Sequence, residues 1–257
     1  MSENVLLDGE RLDKVNEDIT LIQKEKGLTF GTDAYLLASY IKPKASAKAV
    51  ELGAGTGIIS LLCAARNKFG RAYAVEIQKD FATLTERNIK YNGLEEKISV
   101  ICDNVSNITP KMTDGEVDMV FSNPPYMRTD SGKRNESDYK YIARHEVFGG
   151  IGEFCSAAYR MLKHGGKFYC VWRPDRLSEL MVAMCENRLE PKVMTFVHAD
   201  SRTEPSMVLV SATKGGAAGM RVTAPILLYE DIFEAGKPRK MTRQAEKIYD
   251  TMSIDID

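Results

Sequence analysis

The sequence predicts an α/β fold: a mostly parallel, seven-stranded sheet with an antiparallel hairpin at one edge. From residue 48 onward, short apolar runs alternate with longer stretches of helical periodicity, which is the pattern of βαβ units. Turn and helix-stop residues mark the boundaries, and the last two apolar runs are joined by a polar turn. A length of 257 residues, against roughly 150 per domain, allows one large domain or a core with an appendage. With 35 Lys and Arg against 36 Asp and Glu, the net charge of −1 excludes a surface that is basic throughout, so a polyanion would have to meet a local basic patch.

Residues 1–42 precede the first core strand and carry a short β segment at 19–23 and a helix over 32–41. Thr32 or Asp33 can cap that helix. Strands follow at 48–52, 71–77, 98–102, 117–122 and 167–172, with helices at 58–67, 79–92 and 152–162 between them. Gly93 ends the second of these helices, and His164-Gly165-Gly166 stops the third. Pro174 opens a helix running to about 187, since the first turn has no use for the amide hydrogen that proline lacks. Runs at 192–198 and 207–212 form the edge hairpin. Gly215-Gly216-Ala217-Ala218-Gly219 reads as a flexible joint, and a helix over 242–252 lies in the extension beyond it. The chain thus divides into a covering segment, 1–42, a core, 43–214, and an extension, 215–257.

The acidic amino terminus offers no export signal, and no apolar run approaches the roughly 18 residues of a membrane span, so a cytoplasmic location is expected. Five cysteines, an odd number with no C-x-x-C pair, suggest neither a disulfide framework nor a thiolate metal site. All five read as small core hydrophobes, with Cys102 and Cys170 inside strands. Neither a metal nor a membrane partner is expected.

Between the first core strand and its helix lies Glu51-Leu52-Gly53-Ala54-Gly55-Thr56-Gly57. Such a turn lets backbone approach a ligand closely and aims amide donors at it. The spacing is G-x-G-x-G, so the third glycine comes one residue early for the dinucleotide fingerprint, which tilts against NAD. Glu76, 19 residues after Gly57, closes the second strand where a carboxylate can accept ribose hydroxyls. Asp103 and Asn104 close the third, where they can face an adenine ring; either acidic residue can instead cap the following helix.

The fourth strand ends in Asn123-Pro124-Pro125-Tyr126. With this tetrapeptide and the glycine turn, the chain resembles the Rossmann-like class I S-adenosylmethionine-dependent methyltransferases that modify exocyclic or amide nitrogens. Phe30-Gly31-Thr32-Asp33-Ala34-Tyr35-Leu36-Leu37-Ala38 and Ala143-Arg144-His145-Glu146 are similar to stretches of the bacterial tRNA1(Val) adenine-N6 methyltransferases. The resemblance implies S-adenosylmethionine as cofactor, held by Glu51, Gly53, Gly55, Thr56, Gly57, Glu76, Asp103, Asn104 and Asn123, and tRNA as partner. It also implies that Phe30, Thr32 and Asp33 wall the cofactor methyl or the target base.

The chemistry gives such a motif a physical role. The lone pair of an adenine amine is delocalised into the ring, and acceptors on its hydrogens draw the nitrogen out of plane. The Asn123 side-chain oxygen and the Pro124 carbonyl can each accept one hydrogen, and two prolines of fixed φ stiffen the corner that holds them. Tyr126 can stack on an extruded base. Arg128, Lys133, Arg134, Lys140 and Arg144 cluster after the motif, and Lys237, Arg239, Lys240, Arg243 and Lys247 in the extension. Both clusters can hold RNA phosphates. No histidine is needed as a general base, because the methylated nitrogen sheds its proton readily. A glutamine amide of a protein, the N2 of a guanine in RNA, and nucleotide or RNA binding without catalysis remain alternative readings. The first is disfavoured by the shortness of the segment before the core.

Overall fold

The computed structural model describes residues 6–25, 31–125, 150–232 and 238–255. A small antiparallel hairpin comes first, β1 (Glu10–Lys14) and β2 (Thr20–Lys24), followed by α1 (Thr32–Tyr40). The core then runs β3 (Lys48–Leu52), α2 (Ile58–Ala65), β4 (Arg71–Val75), α3 (Lys79–Tyr91), β5 (Ile98–Ile101) and β6 (Val117–Ser122). It continues with α4 (Ile151–Met161), β7 (Leu162–Trp172), α5 (Leu177–Glu186), β8 (Leu189–His198) and β9 (Pro205–Lys214). Two short strands, β10 (Arg221–Val222) and β11 (Ile226–Leu227), precede α6 (Arg243–Thr251).

One sheet of nine strands results, ordered β10-β8-β9-β7-β6-β3-β4-β5, with β11 also pairing to β8. β3, β4, β5, β6 and β7 are mutually parallel, while β9 is antiparallel to both β7 and β8. The seven expected strands are all present. The sheet exceeds them by β10 and β11, two residues each, too short to register as apolar runs.

The core strands are buried on both faces and so read as continuous apolar runs. On β6, Met119 and Phe121 join the cluster that α1, α2 and α6 cover, whereas Val117 and Val120 join the cluster beneath α4 and α5. β7 divides likewise, with Tyr169 and Val171 on the first face and Phe168, Cys170 and Trp172 on the second.

Four expectations need correction. β1 was not foreseen, because Glu10-Arg11-Leu12-Asp13-Lys14 has one apolar residue and pairs outside the main sheet. The strand expected from 167 starts at Leu162, so His164-Gly165-Gly166 lies within it and α4 ends at Met161. Gly31, not Thr32 or Asp33, occupies the N-cap position of α1, with no side-chain cap bond. Cys102 and Cys185 are exposed, one just past the end of β5 and the other on α5; Cys63, Cys155 and Cys170 are buried as expected. Among the described residues no helix is long and apolar enough to cross a membrane.

The position of α1 bears directly on the site. Seven of its nine residues are buried, and the Tyr35 ring stacks on Tyr249 of α6 at 4.6 Å. Its last carbonyls are satisfied by an unusual group: the Lys68 ammonium, 3% exposed, donates to Ala38 O at 2.6 Å, Ile41 O at 2.8 Å and Ser39 O at 3.2 Å. Burial pushes the Lys68 pKa down, but three carbonyls at the negative end of a helix hold the charge in place. Lys68→Met keeps the stem and strands those carbonyls, so urea denaturation should show a loss of about 3 kcal/mol or more. A loss below about 1 kcal/mol would mean that water replaces the ammonium at little cost.

Candidate active site

The order of the parallel strands reverses between β3 and β6: the chain proceeds from β3 outward through β4 and β5, then returns to pair β6 on the other side of β3. Such a switch point leaves a crevice at the carboxyl ends of the two strands. Leu52 stands opposite Ser122 in the register, so the first residues beyond them are Gly53 and Asn123. The Ser122 hydroxyl donates to Leu52 O at 2.7 Å and ties the two strand ends together.

Gly53, Gly55 and Gly57 all have positive φ, at 73°, 57° and 79°. Gly57 is constrained twice, because a Cβ there would also stand 2.7 Å from the Thr85 methyl. At Gly55 a Cβ would meet nothing within 4 Å, so the tip of the turn faces open space. The turn is braced from two sides. The Gly53 and Ala54 amides both donate to Val75 O at 2.9 Å, and the Gly55 amide donates to Glu76 Oε2 at 2.8 Å. From α3, the Thr85 hydroxyl donates to Gly55 O at 2.7 Å and Asn88 Nδ2 donates to Thr56 O at 3.0 Å. Asn88 also bonds both backbone groups of Ile22, which couples the β1–β2 hairpin to the turn.

Sequence reasoning missed Thr85 and Asn88. The available signal was a pair of polar residues three apart on the inward stripe of an amphipathic helix, where apolar residues belong.

Glu76 lies beside the turn, 5% exposed, and its second oxygen accepts from the Gln78 amide at 2.8 Å. Burial raises its pKa despite these donors. Glu51 is 1% exposed and faces α2, accepting from the Ser60 amide and hydroxyl. It therefore holds the start of α2 against the end of β3. Asp103 Oδ1 accepts from the Asn104 amide at 2.6 Å and Asn107 Nδ2 at 2.8 Å, while Asn104 Oδ1 accepts from the Ser106 amide and hydroxyl at 2.9 Å. Both shape the turn after β5, and the Asp103 amide donates to Glu76 O at 3.1 Å, joining that turn to the rest of the crevice rim.

Asn123 is half-buried, and its Nδ2 donates to Asp33 Oδ2 at 2.8 Å. Asp33 belongs to the first turn of α1, where its other oxygen accepts from the Ala34 amide at 2.9 Å. Thr32 and Asp33 line a cavity of about 700 Å³ together with Trp172, Arg173, Glu204 and Met207. Trp172 is 1% exposed and donates from Nε1 to Arg176 O at 2.9 Å.

Phe30, Tyr126, Arg128, Lys133, Arg134, Lys140 and Arg144 fall outside the described residues. In the second basic cluster, Arg239 pairs with Asp200 and Lys240 with Glu230 at 2.9 Å. Those two fasten the extension to the β8–β9 turn and to itself. Arg243 and Lys247 lie on the exposed side of α6, and Lys237 is not described.

A mostly parallel sheet with an antiparallel edge hairpin, and a glycine turn facing a polar strand end across its crevice, defines a Rossmann-like methyltransferase fold. Comparison with known proteins gives the family. The methyltransferase small domain family matches residues 25–187, and the chain belongs to it. It is 28% identical over 195 residues to a tRNA1(Val) (adenine(37)-N6)-methyltransferase of Phocaeicola vulgatus, covering 76% of this chain and 81% of that protein. A Bacteroides fragilis protein of the same name is 26% identical over 197 residues, with 77% and 82% covered. Among solved structures, a predicted O-methyltransferase from Agrobacterium tumefaciens superposes with a TM-score of 0.67 over 86% of this chain and 97% of its own, at 22% identity. M. jannaschii TYW2 in complex with AdoMet reaches 0.54 over 80% and 86%, at 14% identity. These two likenesses bear on the fold alone.

Two outcomes test the turn. Gly57→Ala places a side chain at positive φ against Thr85, so it should cost about 1–2 kcal/mol from the backbone alone and weaken cofactor binding; unchanged thermal stability and affinity would remove the constraint. Burial pushes the Glu51 carboxyl up to about 8, against 4.5 for an ordinary glutamate. The folded chain then binds the extra proton between those values, so stability falls as pH rises from about 4.5 to about 8. In urea titrations at both ends of that window, Glu51→Gln should lose less stability than the parent; equal slopes would contradict the buried proton.

Proposed function

We propose that the chain transfers a methyl group from S-adenosylmethionine to the exocyclic N6 amine of an adenine in tRNA, the anticodon-loop adenine of tRNA1(Val) by similarity to its relatives. One observation carries the reading: a glycine turn with an open tip and the Asn123 amide stand side by side at the switch point of the sheet.

The crevice fits the cofactor on its own geometry. Three positive-φ glycines leave the tip of the turn clear, and the Glu76 carboxylate at the next strand end is an acceptor for ribose hydroxyls. Asp103 and Asn104 stand at the following strand end, where an adenine ring would lie. Glu51, accepting from Ser60 at the start of α2, supports the turn from the strand that precedes it. When bound, S-adenosylmethionine supplies an electrophilic methyl carbon on a sulfonium, whose sulfur keeps the S–C electron pair as the nitrogen lone pair forms the N–C bond.

Asn123 and Pro124 then act on the substrate amine. The Asn123 Oδ1 and the Pro124 carbonyl each accept one hydrogen, which turns the nitrogen lone pair out of the ring plane and toward the methyl. Most of the rate gain comes from this alignment, since an oriented pair of reactants replaces a bimolecular encounter. The methylated nitrogen is a strong acid and releases its proton to water without a dedicated base. Tyr126 is assigned as a stacking surface for the extruded base, and Phe30 and Thr32 as walls of the cofactor methyl or the target base, with Asp33 beside them bonded to Asn123. Arg128, Lys133, Arg134 and Arg144 are the groups assigned to tRNA phosphates.

Incubation of the protein with methyl-labelled cofactor and unmodified tRNA should place the label on adenine N6, identified by nucleoside mass analysis. Label recovered only on protein would replace this reading with amide methylation. Asn123→Ala should lower kcat about 100-fold or more while cofactor affinity changes little, because the lost acceptor acts on the reacting amine; a loss confined to KM would remove Asn123 from the chemistry.

A further inference from the structure

We propose that Asp33 is the positioning residue of the methyl-transfer site: it accepts from Asn123 Nδ2 and so fixes that amide in the orientation that presents Oδ1 to the substrate amine. The inference rests on the role given to Asn123 above and adds the group that makes that role possible.

An asparagine amide has two orientations of nearly equal shape, related by a half-turn that exchanges its oxygen and nitrogen. Only one serves the reaction. With oxygen outward, Asn123 accepts from the amine; with nitrogen outward, two donors face each other and the acceptor is lost. A carboxylate distinguishes these states, because it accepts and cannot donate, so the nitrogen faces Asp33 Oδ2, which it meets at 2.8 Å. A bond to a charged acceptor biases the two orientations by about 10- to 100-fold.

The carboxylate is itself held. Its other oxygen accepts from the Ala34 amide at 2.9 Å, in the first turn of a helix whose positive end favours negative charge. Gly31 leaves room for it: a Cβ at that position would stand 2.7 Å from Asp33 Oδ1. The helix behind it is anchored along its length, by burial, by the Tyr35–Tyr249 stack and by Lys68 at its far end. A chain of fixed groups thus runs from the core through α1 to the amide, and Asp33 does not have to touch the reacting atoms to act.

The test compares four forms of the full-length protein, Asp33→Ala, Asp33→Asn, Asn123→Ala and the double variant Asp33→Ala/Asn123→Ala, by single-turnover methylation of tRNA and by cofactor binding. Asp33→Ala should lower the rate about 10- to 100-fold, with cofactor affinity within about two-fold of the parent. Asp33→Asn should recover part of that loss, since its amide oxygen still accepts from Nδ2. The double variant should be no slower than Asn123→Ala alone, because a residue that acts only through Asn123 has nothing left to position. Losses that multiply in the double variant, or a parental rate in Asp33→Ala beside a slow Asn123→Ala, would overturn the positioning role and leave the proposed function standing. A parental rate in Asn123→Ala would instead overturn the role of Asn123, and this inference with it. Should Asp33→Ala fail to fold, Gly31→Ala, which displaces the same carboxylate, gives the same comparison: a slower rate expected, a parental one contradictory.

Discussion

The site depends on one topological constraint: two adjacent parallel strands at which the order of the sheet reverses. α2 follows β3 into one core cluster and α4, the next described helix after β6, packs in the other, so among the described residues no helix start covers the carboxyl ends of both strands. The gap that remains is where Gly53 and Asn123 emerge side by side. A turn that can approach a ligand and an amide that can grip an amine are adjacent because the sheet order reverses there. Neither residue would create the site in another register.

Holding such a crevice open requires polar groups in places that are otherwise dry. Glu51, Thr85 and Asn88 are each 1% exposed or less, and each is bonded to backbone of the turn or of the helix that begins there. A buried polar group without a partner costs on the order of 1–3 kcal/mol, so these residues are tolerated only because the turn satisfies them, and the turn keeps its shape only because they are present. Lys68 does the same for α1, exchanging water for three carbonyl oxygens. The braces reach the crevice from three elements distant in sequence: the β1–β2 hairpin, α1 and α3.

The parts that were legible in the sequence share a physical cause. Strands buried on both faces are mostly apolar, so all seven core strands stand out as runs, whereas β1 has a single apolar residue and β10 and β11 are only two residues each. The glycine turn was legible because positive φ leaves few residue choices. Asp33 was readable as a helix cap, but that position belongs to Gly31 and the carboxylate reaches 90 residues along the chain to Asn123. Cys102 was misplaced for the simpler reason that β5 ends one residue sooner than its apolar run suggests.

The amino acids alone settled the alternation of elements and the glycine turn, because backbone freedom and apolar burial are written residue by residue. What they could not settle was partnership. Which amide Asp33 holds, and which basic side chains pair with carboxylates of the same chain, are contacts between residues apart in the sequence. Arg239 and Lys240 look like a basic patch in one dimension, and in three each is paired with a carboxylate of the same chain. A side chain's charge is fixed by its identity, but its partner is fixed by distance, and only the packed structure sets distance.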